Sequence, residues 1–172
     1  MMSKNSLYIG KAGHFAVMSE FLMLGWNVAI PEVDVGDDIF VVRDDDGQLV
    51  RVQVKSAQAG TAPTKKAPHR LKAQFSARWG QISEAKTPDL TYVFVVRYGD
   101  SWLKFLVLER ALIYQYYLTS SPAAQNYDSK KGMTVQIQFE LGIGGTIQKA
   151  TFLGNDVTGY ISDYSRFPKI TH

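Results

Sequence analysis

Three polar residues on two predicted strands are the strongest candidates for chemistry in this sequence. Asp38 precedes the apolar run Ile39–Val42, and Gln53 and Lys55 stand two residues apart near the end of the next strand. A carboxylate and an amide oxygen suit a hard divalent cation, and an ammonium group can neutralise charge that develops on a phosphate. Together these residue types indicate metal-assisted hydrolysis of a phosphodiester bond.

A predicted β-hairpin is the element that must bring these residues together. Residues 38–43 are strongly β-forming, the Asp-Asp-Asp-Gly run at 44–47 predicts a tight turn, and residues 49–55 return as the partner strand. With the turn at this position, residue 38 falls opposite roughly residue 53. Whether the two side chains share a face depends on the register, which the sequence leaves open.

Asp38 and Gln53 are the predicted metal ligands, and the backbone carbonyl of Val54 is a further candidate. Mg²⁺ or Mn²⁺ is the expected cofactor, because magnesium usually keeps several waters and needs few protein ligands. Lys55 would orient the attacking water or neutralise developing charge. Asp37 is the alternative to Asp38 for the first position.

Charge is unevenly distributed along the chain, although the net charge is only +3. Residues 32–46 are mainly acidic and residues 51–86 mainly basic. Residues 56–73 show little periodicity and predict a long basic loop. The candidates for contact with a nucleic-acid backbone are its cations, Lys65, Lys66, Arg70 and Lys72. The alternative is that they only keep the loop solvated.

The order of a helix, a short strand and a hairpin ending in Gln53-Val54-Lys55 resembles the PD-(D/E)xK nuclease superfamily, over roughly residues 9–56. That family joins an Asp at a strand start, here Asp38, to an acid or Gln two residues before a Lys. The stretch is similar to small uncharacterised bacterial and phage-type members and to a homing-endonuclease branch with Gln in this position. The resemblance implies an α/β, restriction-endonuclease-like fold, with a mixed central sheet flanked by helices in α-β-β-β-α-β order.

Two departures from the family pattern concern the metal site. Gln53 replaces the commoner acid and brings no charge, so metal affinity should be lower. Similar sequences often have Glu in the helix where this one has His14, and the nearest helical acid is Glu20. Six helical residues turn Glu20 about 120° away from His14, so it cannot simply take that place. His14 and Glu20 remain catalytic candidates, and the alternative is that neither takes part.

The remaining sequence predicts one domain of 172 residues without cysteine, and no apolar stretch approaches the roughly 20 residues of a membrane span. These features favour a cytoplasmic protein. Further elements are predicted as helices at 11–24 and 109–118, strands at 26–30, 91–96, 102–108, 135–141 and 146–153, a hairpin turn at 142–145, and a last short helix that Asn155 or Asp156 caps.

The sequence therefore predicts a metal-dependent DNA endonuclease. Because cutting both strands needs two active sites, a homodimer or higher homo-oligomer is expected. The alternative is a catalytically inactive module on the same fold that binds nucleic acid or a protein, which Gln53 and His14 favour. An RNA substrate is a third possibility that only a substrate panel would separate.

Overall fold

The computed structural model describes residues 4–32, 36–44, 46–61 and 69–168. Three α-helices and eleven strands occur in these ranges, joined by turns and short 3₁₀ segments. In chain order they are α1 (Lys4–Met23), β1 (Asn27–Ala29), β2 (Ile39–Val42), β3 (Leu49–Gln58), β4 (Gly60–Thr61), β5 (Arg70–Arg78), α2 (Trp79–Ser83), β6 (Leu90–Tyr98), β7 (Ser101–Trp102), β8 (Leu106–Glu109), α3 (Arg110–Ser120), β9 (Gly132–Leu141), β10 (Ile147–Phe152) and β11 (Asn155–Asp156).

The first sheet is mixed and has the strand order β1-β2-β3-β6-β7, with β8 also paired to β6. β3 and β6 run parallel, whereas the other pairs in this sheet are antiparallel. Helix α1 covers one face, where Val17 and Phe21 pack with the inward-facing valines of β3 and β6. Alternation along β3 places Val52 and Val54 in this core and turns Gln53 to the other face.

This architecture confirms the predicted fold class, an α/β protein with a central mixed sheet flanked by helices. The predicted α-β-β-β-α-β order is present in α1, β1, β2, β3, α2 and β6. Strands β4 and β5 are inserted before α2.

A second, antiparallel sheet with the order β11-β10-β9-β5-β4 packs over the other face of the first sheet. Leu71, Ala73 and Phe75 alternate inward from β5 and pack with Tyr92 and Phe94 of β6. Ile113 and Tyr117 of α3 and the inward residues of β9 and β10 complete this core. The two sheets and α3 thereby bury one continuous apolar cluster.

The predicted long loop at 56–73 is wrong at both of its ends. β3 continues to Gln58, β4 follows at Gly60–Thr61, and β5 begins at Arg70. The inward alternation of Leu71 and Ala73 makes the start of β5 a strand, although lysine and alanine are weak strand formers. Lys65 and Lys66 lie outside the described residues.

Smaller differences concern element ends. The predicted strand at 102–108 is two strands, β7 and β8, separated at residues 103–105. The predicted last helix is a 3₁₀ turn at Thr158–Tyr160, where the Asp156 carboxylate accepts a hydrogen bond from the Thr158 N–H at 2.9 Å. The hairpin turn at 142–145 is confirmed between β9 and β10. In the ranges described, none of the helices has both the length and the apolar character that crossing a bilayer demands.

Gly13 lets α1 approach β3 closely. A Cβ built on Gly13 would lie 2.8 Å from the Ser56 Cβ and would overlap its Oγ, whereas a Cβ built on Gly10 meets nothing within 4 Å. The helix can therefore lie directly on the strand at this turn. The close approach also fixes the height of the next residue, His14, above the sheet.

We predict opposite effects for the two helical glycines. Gly13→Ala should lower the free energy of unfolding by about 1–3 kcal/mol, because the new methyl group forces α1 away from Ser56. Gly10→Ala is the matched control and should raise it by about 0.5–1 kcal/mol through helix propensity. Urea unfolding of both variants measures the difference. Equal stabilisation by the two substitutions would contradict this packing.

Candidate active site

The hairpin register places Asp38 directly opposite Gln53. Ile39 pairs with Val52, so the preceding residue of β2 faces the following residue of β3. The Asp38 N–H donates to the Val52 carbonyl at 2.9 Å, which closes this end of the ladder. Opposed residues of an antiparallel pair point to the same face, so the two polar side chains share one face of the sheet.

The Asp38 carboxylate lies along the edge of β3 where β2 has ended. Its Oδ2 accepts a hydrogen bond from the Val54 N–H at 2.7 Å and another from the Gln53 Nε2. A strand residue directs its N–H and C=O to the same side, so the Val54 carbonyl also points to this edge. A carboxylate and a backbone carbonyl are thus directed to one place.

Gln53 is buried, with only 5% of its surface exposed. Because its amide nitrogen faces Asp38, its Oε1 points away from the carboxylate, and this oxygen is buried without a hydrogen-bond partner. An unsatisfied buried acceptor costs about 1–3 kcal/mol. Such an oxygen is a ready ligand for a group that the chain itself does not supply.

Asp37 has a different partner from Asp38. The Asp37 Oδ2 lies 2.5 Å from the Arg51 Nη2, and Asp37 is 2% exposed. Arg51 also donates to the Pro88 carbonyl at 3.3 Å. This ion pair ties the residue before Asp38 to β3 and so helps to position Asp38. The Asp37 Oδ1 remains buried without a hydrogen bond.

Lys55 lies on the same face as Gln53, two residues further along β3, and is partly buried. Two more polar residues reach this region from the segment after β5. A Cβ built on Gly36 would lie 3.5 Å from the Lys86 Nζ, 3.8 Å from the Gln81 Nε2 and 4.0 Å from the Gln53 Oε1. The sequence did not predict Lys86 or Gln81, because no spacing relates them to the hairpin.

His14 reaches the site from α1. The imidazole hydrogen-bonds the backbone of Asp38, and its Nε2 is buried without a partner. Burial lowers the pKa of His14, and the nearby Lys11 lowers it further, against the opposing influence of Asp38. The neutral imidazole therefore contacts the backbone of Asp38, whose side chain is the candidate metal ligand.

The structure does not bring Glu20 to this cluster. Glu20 follows His14 by about 9 Å along the helix axis. Burial raises the pKa of Tyr164, which packs on Phe21 and Trp26, and the nearby Glu20 carboxylate raises it further. Glu20 therefore lies beside the aromatic cluster at the far end of α1, turned away from His14 by the helix rotation, and its catalytic role stays a prediction.

Arg70 and Lys72 lie on β5 and point away from the core of the second sheet. Arg70 pairs with Glu140 of β9 at 2.7 Å. These two residues of the predicted basic loop therefore belong to a regular polar sheet face.

The chemistry of the donor set fits a hard cation with few protein ligands. The Asp38 carboxylate, the orphaned Gln53 Oε1 and the Val54 carbonyl are the oxygens that would hold it, once the Gln53 amide turns its oxygen towards Asp38. Across the four described ranges, no group of three or more His, Cys, Asp or Glu side chains is arranged to hold a metal. The site is therefore poor in charge, and water would complete the coordination.

No protein-family model matches the sequence, and no curated protein matches it. Among solved structures, the chain is similar to the bacterial homing endonuclease I-Ssp6803I, with 19% sequence identity and a TM-score of 0.42 over 78% of this chain and 75% of that one.

We predict a pH dependence of stability that His14 causes. The pKa of His14 is lower in the folded state than its ordinary value of 6.5. Below pH 6.5 the unfolded chain therefore binds more protons than the folded one, and the free energy of unfolding decreases as the pH is lowered. His14→Gln removes this proton uptake, and its stability should therefore change less than that of the wild type from pH 7 down to about 5. Urea midpoints across this range measure the effect. Parallel pH profiles for the two proteins would contradict a buried neutral His14.

We also predict that Gln53→Glu couples stability to magnesium. A second carboxylate beside Asp38 repels it, so the variant should melt at least about 4 °C below the wild type in EDTA. Saturating Mg²⁺ should raise the Tm of the variant more than that of the wild type, because a bound cation neutralises the pair. Gln115→Glu, on the exposed face of α3, is the matched control. A Gln53→Glu Tm that does not respond to Mg²⁺ would contradict a cation site here.

Proposed function

We propose that the chain is a divalent-metal-dependent endonuclease that hydrolyses phosphodiester bonds in DNA. The observation that carries the proposal is the Asp38 carboxylate beside the buried, unpartnered Gln53 oxygen at the edge of β3. Lys55 on the same face supplies a positive charge two residues away. This is the set of oxygen donors and ammonium group that phosphodiester hydrolysis uses.

Each residue has a distinct contribution in this proposal. Asp38, Gln53 and the Val54 carbonyl hold Mg²⁺ or Mn²⁺, which supplies charge stabilisation and a more acidic water when bound. Lys55 orients the attacking water or neutralises charge on the phosphate. His14 holds the Asp38 backbone from the α1 side.

A homodimer is part of the proposal, because cutting both strands of a duplex needs two active sites. The supporting observation is an exposed arc of α1, about 100° wide, that carries Leu7, Tyr8, Phe15 and Leu22, with Lys11 over the Phe15 ring. Sedimentation velocity tests it, and a protein that makes double-strand breaks as a monomer would contradict it.

The second candidate function is a non-catalytic module that binds nucleic acid or a protein. The observation in its favour is the hydrogen bond from the Gln53 amide to Asp38, which occupies the carboxylate with a neutral donor. For such a module, DNA binding would survive both EDTA and the loss of Lys55, and no substrate would be cut. RNA as the substrate is separated from DNA by offering both.

The cleavage test uses supercoiled plasmid, linear duplex, branched and single-stranded DNA, and RNA, each with Mg²⁺ or Mn²⁺. We expect Asp38→Asn and Lys55→Met to lower the rate at least about 100-fold, because each removes a group that stabilises the reacting phosphate or its metal. The matched controls are Asp100→Asn, in the exposed turn between β6 and β7, and Lys104→Met, an exposed side chain between β7 and β8. They should cleave like the wild type.

Two outcomes of this test contradict the proposal. Cleavage that survives both site substitutions means that the reaction occurs elsewhere or comes from a contaminant. Folded wild type that binds DNA without cutting any substrate in either metal favours the non-catalytic module.

A further inference from the structure

The second sheet presents a polar outer face that the proposed reaction does not use. We call it the glutamine face and define it by Gln74, Gln136 and Gln138, with the cations Lys72, Arg78 and Lys149 around them. In β5 and β9 these residues alternate with buried ones, so their side chains point away from the core. The glutamine face is therefore the solvent side of a rigid sheet, whose other side is packed on β6 and α3.

Strand register arranges these side chains in rows. Lys72, Gln138 and Thr151 are neighbours across β5, β9 and β10. Gln74 lies opposite Gln136, and its Nε2 donates to the Gln136 Oε1 at 3.2 Å. The three glutamines, with Thr134, Thr151, Leu153 and Gly154, line a shallow depression of about 430 Å³. Amide groups thus stand side by side along the floor of a concave surface.

The charge of this surface favours a polyanion. Besides Lys72, Arg78 and Lys149, the outer face of the sheet carries the ion pair Arg70–Glu140. Asp156 of β11 is opposite Thr151 at the far edge, and its carboxylate accepts hydrogen bonds from Thr158. Among the described residues of this face, four basic side chains outnumber two acidic ones. With the Arg70–Glu140 pair set aside, three cations remain against Asp156.

The residue types and dimensions match the major groove of duplex DNA. A two-stranded antiparallel ribbon fits into this groove, and β5 and β9, which carry the three glutamines, are such a pair. A glutamine amide bonds adenine N6 and N7 in a bidentate contact. Threonine contacts the thymine methyl group, and the cations meet phosphates. A strand of nine residues such as β5 extends for about 30 Å, close to one turn of DNA.

One end of the glutamine face adjoins the candidate active site. β5 ends at Arg78, whose N–H donates to the Gln81 Oε1 at 3.0 Å. A Cβ built on Gly36 would lie 3.8 Å from the Gln81 Nε2 and 4.0 Å from the Gln53 Oε1, so Gln81 and Gln53 approach the same point. A duplex on this face would therefore run from bases read along β5 and β9 towards the site of cleavage.

We propose that the glutamine face reads adenine-containing sequence in the major groove of duplex DNA and so selects where the chain binds. This inference rests on the proposed function, because it names the surface that chooses the substrate. Glutamines read bases, and lysines hold the backbone. The two groups of residues therefore affect sequence preference and overall affinity separately.

The experiment selects bound sequences from a randomised duplex pool in EDTA, so that binding is measured without cleavage. The triple variant Gln74→Ala, Gln136→Ala, Gln138→Ala should lose discrimination at A·T positions by about fivefold to a hundredfold for each lost bidentate contact. Its binding to unselected DNA should persist. Gln115→Ala on α3 is the matched control and should select the same sequence as the wild type.

The lysines give a second, independent readout. Lys72→Ala with Lys149→Ala should weaken binding to all sequences alike and lower the slope of log affinity against log salt by about 1.8. Lys104→Ala should leave both quantities unchanged. All substituted side chains lie at the surface, and an unchanged Tm and far-UV circular dichroism will establish that each variant is folded.

The outcomes separate this inference from the proposed function. An unchanged selected sequence and affinity in the triple variant overturns the inference, and Asp38-dependent cleavage would then still support the nuclease. Preference that depends on the three glutamines, without cleavage in any metal, supports the DNA-reading face and overturns the nuclease. Failure of the wild type to bind duplex DNA, or binding of single-stranded nucleic acid alone, overturns the inference.

Discussion

The hydrogen bonds from Gln53 and from the Val54 N–H to the Asp38 carboxylate are the interactions on which the site depends. Towards the hairpin opening, β2 ends at Ile39, one residue short of Asp38, so the Val54 N–H of β3 needs an acceptor other than β2. The carboxylate provides it and is held rigidly at the sheet edge. Two further contacts fix the backbone around the site. Gly13 lets α1 lie close to β3 at Ser56, and the Asp37–Arg51 ion pair ties the residue before Asp38 to β3.

The same arrangement leaves an unfavourable feature that a purely structural hairpin would not need. The amide of Gln53 satisfies Asp38 with its nitrogen and leaves its own oxygen buried and unsatisfied. A leucine of similar size would avoid this cost, which is about 1–3 kcal/mol. Buried groups without partners are found where a bound species completes them, and a divalent cation would satisfy the carboxylate, the amide oxygen and the Val54 carbonyl at once.

The hairpin could be predicted from local sequence, whereas its surroundings could not. The aspartate-glycine turn set the pairing of Asp38 with Gln53, because strand pairing counts outwards from a turn. The approach of His14, Gln81 and Lys86 depends on contacts between distant segments, which no local pattern records. Of the second sheet, β9, β10 and the turn between them could be predicted, but β5 was missed. Residues 56–73 are rich in glycine, alanine, proline and lysine, and the alternation at the start of β5 becomes meaningful only when β9 pairs with it.

The most direct measurement is a crystal structure of the protein with Mn²⁺, located by its anomalous scattering. We expect one ion within coordination distance of the Asp38 carboxylate and the Val54 carbonyl, with the Gln53 amide turned so that Oε1 faces the ion. Asp38→Asn crystals should lose the peak. A Gln53 Nε2 that still donates to Asp38 in saturating Mn²⁺, with no anomalous peak at this edge, would contradict the cation site and the hydrolytic function built on it.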